Sequence, residues 1–357
     1  MLSSVRFAPL PLLACAVLAF GPPAAVRADV LIGSYGSGSS TESLRGFADA
    51  YNGNAAPMRN LAGTATTLHA PVGGAYEPVE DVVYVADFWG QAIRVFAVGA
   101  NGNAAPKRVL DSPYVGQARA VAIDVTHDEL LTFTSGCCLA AFNRTDSGSA
   151  FLKRSVQWGG LAGSVTELNY PQGLVYLAPT DEVALIDSDA ASPYTPKVLV
   201  FDRAASGNTA PRRILRGAST LLGSYVSAIA YDVAARELYV AAYQQNADQS
   251  RSGRILVFDD TANGNAPPKR KISGFFTGLE LTASGRISGL AIDPQRHMLV
   301  VAIDDYNTPA NDSLLMYPLG AAGNTSPSQV IAGTQTGFAN LGAPIWVPDR
   351  ILRSGFD

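Results

Sequence analysis

Apolar residues in this chain fall into short runs punctuated by Gly, Asn and Pro, and several runs share a shape. One kind alternates and ends on an aromatic, as in Ile93-Arg94-Val95-Phe96, Val198-Leu199-Val200-Phe201, Ile255-Leu256-Val257-Phe258 and Leu314-Leu315-Met316-Tyr317. A second is small-residue-rich and closes on an acid: Ala120-Val121-Ala122-Ile123-Asp124, Ala228-Ile229-Ala230-Tyr231-Asp232 and Gly289-Leu290-Ala291-Ile292-Asp293. A third is apolar throughout, at Val82 to Ala86, Leu238 to Ala242 and Met298 to Ile303. β-Branched and aromatic enrichment between turn residues predicts strands.

The runs repeat in a fixed order. GNAAP stands at Gly53 and Gly102, GNTAP at Gly207, GNAPP at Gly264 and GNTSP at Gly323, with a worn copy at Gly148-Ser149-Ala150 before Lys153-Arg154. The intervals are 49, 46, 59, 57 and 59 residues, which makes six copies. A period of this length with four strands per copy predicts a β-propeller. We name the strands a to d outward from the axis, so that GNxAP joins c to d. The predicted fold is all-β: a six-bladed propeller of four antiparallel strands per blade, spanning 29–349. Val30 to Ser34 reads as a strand b and Ala343 to Asp349 as a lone strand a. Blade six then takes its strand a from the C-terminus and strands b to d from the N-terminus, which leaves no open edge.

Residues 1–28 change the picture only by address. Arg6, the apolar run Leu10 to Phe20 and Val26-Arg27-Ala28 read as a cleaved signal peptide. The expectation is a secreted or periplasmic protein, with no membrane span and a short tail at 350–357. Without the leader the chain has 24 basic and 30 acidic residues, a net of −6. That balance gives no bulk attraction for nucleic acid. The adjacent Cys137 and Cys138 are the cysteines left; in an oxidising compartment they could close a vicinal disulfide, which would tie no distant segments together, and the sequence leaves their redox state open.

The strand series SGLAID, MLVVAID, SLLMY, with AIAYD, LYVAA, RILVF, resembles the NHL family of β-propellers over essentially all of 29–349. The resemblance implies the architecture and leaves activity open, because that family includes protein-binding, RNA-binding and enzymatic members. Blade two departs furthest, with Thr134-Ser135-Gly136-Cys137-Cys138 in place of a typical b–c loop.

Candidate chemistry gathers on the face carrying the b–c and d–a loops, which vary in length and hold aromatics. Trp89, Tyr194, Tyr243 and Tyr306 are candidate contact residues for a protein, glycan or small ligand. Asp87, Asp187 and Asp304 read as equivalent ends of strand b in blades one, three and five. They are either a channel-mouth cation site, for calcium above all, or caps on their own turns. Lactonase-type propellers place acids near the inner strands. Here the strand a starts read Gly73-Gly74, Ala118-Arg119, Gln172-Gly173, Ser227, Ser288-Gly289 and Gly342-Ala343, and small neutral residues there leave a metal under-ligated. His69, His127 and His297 form no constellation, and no HExxH, GxSxG, P-loop or CxxC is present. The expectation is therefore a monomeric exported binding scaffold without cofactor or catalysis. The alternative is a calcium-dependent lactonase-like hydrolase or lyase.

Overall fold

The computed structural model describes residues 29–36, 42–48, 50–134, 138–189 and 195–348. They form six antiparallel sheets in a ring, each in the order a-b-c-d. Blade one uses Pro71–Glu77, Val82–Asp87, Ala92–Ala97 and Arg108–Leu110. Blade two uses Val121–Asp124, Glu129–Thr134, Cys138–Asn143 and Arg154–Gln157. Blade three uses Gly173–Leu177, Glu182–Ser188, Pro196–Asp202 and Arg213–Leu215. Blade four uses Tyr225–Asp232, Glu237–Gln245, Arg251–Asp259 and Arg270–Ile272. Blade five uses Gly285–Asp293, Met298–Asp305, Ser313–Pro318 and Gln329–Ala332. Blade six joins Leu341–Val347 to Asp29–Ser34, Ser43–Ala48 and Arg59–Ala62, with Asp29 opposite Val347 and Leu31 opposite Ile345.

Each pair of adjacent blades encloses one hydrophobic cluster, six in all among the described residues. A strand b sits between two such clusters, so both of its faces are covered; Val82–Asp87 is buried at every position. This is why strands b read as unbroken apolar runs instead of alternating ones.

The GNxAP string does more than turn the chain. Each glycine, from Gly53 round to Gly323, bridges the outer strand of the preceding blade, its N–H meeting a carbonyl there at 2.6–3.0 Å. The next asparagine reaches further round: Asn54, Asn103, Asn208, Asn265 and Asn324 accept from a d–a loop N–H of that same neighbour at 2.7–2.8 Å. Four of these loops carry a one-turn 3-10 segment entered through glycine at φ +111 to +125, such as Gly63. A Cβ at Gly63 would lie 2.5 Å from Asn103 Oδ1, so the clasp requires glycine there. The worn copy keeps Gly148 bonded to Val109 but has Ser149 for the asparagine, and the connection after blade one holds no 3-10 turn to cap.

The basic residue that follows the motif closes a second repeated bond. Arg154, Arg213 and Arg270, each opening a strand d, hold Glu129, Glu182 and Glu237 of their own strand b with both guanidinium nitrogens at 2.5–2.9 Å. Each also donates to a carbonyl of the next blade: Arg203, Asp260 and Leu319, at 2.6–2.9 Å. Blade five has Met298 and Gln329 at these places, so carboxylate and guanidinium are missing together.

Candidate functional site

The six strands a converge on the axis and leave a central channel of about 910 Å³. Small residues permit that convergence: a Cβ on Gly289 would lie 2.2 Å from Ala343 Cα, so the inner strands of blades five and six touch there. The middle of the channel is lined by residues such as Ala120, Ala228, Ala291 and Ile345.

The mouth on the b–c/d–a face is different. Two charged side chains line the channel among the described residues, Arg119 and Arg286, and no carboxylate does. Arg119 stands just before strand a of blade two, its guanidinium 4.5 Å from the centre of the Phe88 ring. No carboxylate among the described residues pairs with it. Burial, and then the positive charge of Arg286, bring its pKa below the ordinary arginine value. Arg286 is anchored: Nε donates to Asp304 Oδ2 at 2.8 Å and Nη2 to the Tyr35 hydroxyl at 2.9 Å. Burial disfavours its charge, but Tyr35 and Asp304 outweigh that and leave its pKa raised. Beside them Tyr225 and Tyr243 stack at 5.0 Å, with Arg251 over the Tyr243 ring, also at 5.0 Å. Ser227, at a bulge in strand a of blade four, has a buried hydroxyl with no partner among the described residues.

The three acids read as one cation set are not brought together. Asp87 accepts from the His69 and Ala70 amides and from Arg94 Nε at 2.6–3.0 Å. Asp187 accepts from the Asn169 and Tyr170 amides, and burial, against Lys197 and those amides, pushes it up to about 6. Each therefore ties down the chain entering its own blade. Asp304 is also not their equivalent. Counted from the a–b turn, the sixth place of strand b holds Asp87 and Asp187, but in the longer strand of blade five it holds Ile303. One residue on, Asp304 bonds Arg286 and the Leu341 amide of blade six. The acids ending strands a are turn caps as expected: Asp124, Asp232 and Asp293 each accept two amides from the following turn. Asp349 lies outside the described residues.

Of the aromatic candidates, Tyr243 lines the channel, while Trp89 and Tyr306 are exposed on the surface and do not. Tyr194 lies outside the described residues. Cys138 is disulfide-bonded and packs in the cluster between blades one and two; Cys137 lies outside the described residues. Sequence reasoning passed over Arg119 and Arg286 as site residues.

A trio with metal-ligand spacing stands at the a–b turns of blades two and three: Asp124, His127 and Asp181. Arg203 already serves it, with Nε 2.7 Å from Asp181 and 3.4 Å from Asp124, and Tyr176 donates to Asp181 at 3.0 Å. A guanidinium occupying that space makes the trio an ion-paired seam between blades, not a cation cage.

Comparison with protein-family models and with curated protein sequences yields no match. Solved structures share the fold. A chain from "Crystal structure of Nidogen/Laminin Complex" superposes with TM-score 0.56 at 13% identity, over 89% of this chain and 98% of that one. A chain from "Kuenenia stuttgartiensis Hydrazine Synthase" gives TM-score 0.50 at 12% identity, over 86% and 80%. At these identities the likeness is one of fold, and it agrees with the six-bladed ring.

Proposed function

We propose that this chain is an exported, non-catalytic binding protein of NHL-like repeat type that takes a small ligand into the b–c/d–a mouth of its channel. The observation that supports this best is the channel itself. About 910 Å³ is in the size range of small-molecule sites, and its wall is mostly apolar with a few convergent polar groups at one end. Export rests on residues 1–28, whose basic start, apolar run and small-residue end fit a secretory leader. The periplasm or the medium follows as its address. The reading needs neither a metal ion nor a second copy of the chain.

The test is a saturation-transfer NMR screen of anionic, neutral, cationic and saccharide fragments against the purified protein. Hits are expected to compete with one another and to weaken at least tenfold in Tyr243→Ala, while Trp89→Ala leaves them unchanged. A screen without a hit, or hits indifferent to Tyr243, would sink the proposal.

A further inference from the structure

The channel mouth carries more positive charge than its own carboxylates answer. Removed from its leader the chain has a net charge of −6, yet among the described residues the channel lining presents Arg119 and Arg286 and no acid. Asp304 and the Tyr35 hydroxyl fix Arg286 from one side. Arg119 has only an aromatic face beneath it. Arg119, Arg286 and the Asp304 carboxylate leave a single positive charge on the lining itself, with Arg251 set behind the Tyr243 ring, where an opposite charge gains more than in bulk water.

We propose that the mouth binds a small organic monoanion, a carboxylate above all, with its oxygens on Arg119 and Arg286 and its apolar body in the channel. This rests on the binding-protein reading above. A planar guanidinium fork matches a carboxylate in two parallel hydrogen bonds. The charge count favours a monoanion, since a phosphate dianion would exceed the one unanswered charge. Beside the head group the stacked Tyr225 and Tyr243 flank the mouth, and the alanine-rich wall below suits an aliphatic or aromatic body. The unpartnered Ser227 hydroxyl offers one further donor within the same lining. Arg119 needs this role more than its neighbours do: an arginine brought into a cavity without an acid is costly unless something anionic visits it.

The experiment is isothermal titration of the full-length mature chain with octanoate and benzoate, and with octanamide and benzamide as uncharged counterparts. The acids are expected to bind at one site at least tenfold more tightly than the amides. Arg119→Gln should reduce acid binding tenfold or more without moving the melting temperature beyond a few degrees, and Arg119→Lys should restore part of it. Inorganic phosphate should not compete at the concentration where acetate does. Amides binding as well as acids, with both lost in Tyr243→Ala, would overturn the anion assignment and leave the channel reading standing. Arg119→Gln binding like wild type, phosphate outcompeting acetate, or neither acid binding would each overturn it too; the fragment screen then decides separately whether the channel binds anything.

Discussion

Arginine is used in two opposite ways in this molecule. Around the outer part of the ring, Arg154, Arg213 and Arg270 each grip a glutamate of their own blade and a carbonyl of the next, so every charge is answered and the repeat advances by one blade. At the channel mouth, Arg119 and Arg286 occur once each, in blades two and five; Asp304 answers Arg286, and among the described residues no carboxylate pairs with Arg119. The first set belongs to the repeat and holds the ring together. The second interrupts the repeat, and its charge is directed at the empty axis. Where a side chain recurs in register, architecture explains it; where it appears once among small residues, the repeat does not.

The largest expected effect sets these two uses against each other on stability. Arg270→Ala leaves Glu237, largely buried, with Lys269 as its remaining ion-pair partner among the described residues and a long bond from the Tyr239 hydroxyl, and should cost about 2–3 kcal/mol in urea unfolding. Arg119→Ala removes no ion pair and should cost under about 1 kcal/mol. Equal losses would erase the distinction.

Acid should attack the outer set selectively. Arg270, against burial and with Lys269, holds Glu237 down to about 2. Burial alone would raise Glu129, but Arg154, Lys153 and Arg203 bring it to about 2 as well. A carboxylate with a depressed folded pKa contributes stability above its unfolded value, and that contribution is lost as pH falls through the folded one. The urea midpoint should therefore decline from about pH 4.5 towards pH 2, and Glu237→Gln should flatten that decline while lowering the plateau at pH 6. Asp187, raised to about 6, acts in the other direction, losing stability as pH rises from near 4 through 6. Asp187→Asn should remove that slope.

The smallest effect concerns the clasp. Asn324→Ala removes the acceptor for the Phe276 amide and should cost about 1 kcal/mol. Ser149→Asn in the worn copy should recover part of that amount, because Asn208 already makes this bond to Val165 in a loop without a 3-10 turn. No gain would show that the connection after blade one offers no amide to the clasp.

Much of the fold was legible because the repeat prints itself in one dimension. Strand order, blade number and the shared sixth blade follow from runs such as Ile255 to Phe258 and from the GNxAP spacing. The turn residues of that motif were legible as turns. Its role as a clasp was not, because Asn103 meets Ala65 across a blade boundary and nothing local marks the pair. Asp304 looked equivalent to Asp87 because both end an apolar run, but Asp304 stands one place further along its strand, which puts them on opposite faces. Arg119 and Arg286 lie in different repeats and line one channel only once the ring has formed, and the pattern of small residues at the starts of strands a hid the exception among them.

Closure itself has a consequence for when the protein becomes competent. Leu341–Val347 is the inner wall of blade six and supplies Ala343, Pro344, Ile345 and Trp346 to the lumen. Until that segment has been synthesised and, if the chain is exported, hauled across, five blades can assemble side by side while the lumen stays a gutter with one wall missing. Closing of the channel is thereby timed to the last strand, and a ribosome stalled before residue 341 would release a protein that has nearly all of its sheets and no enclosed channel.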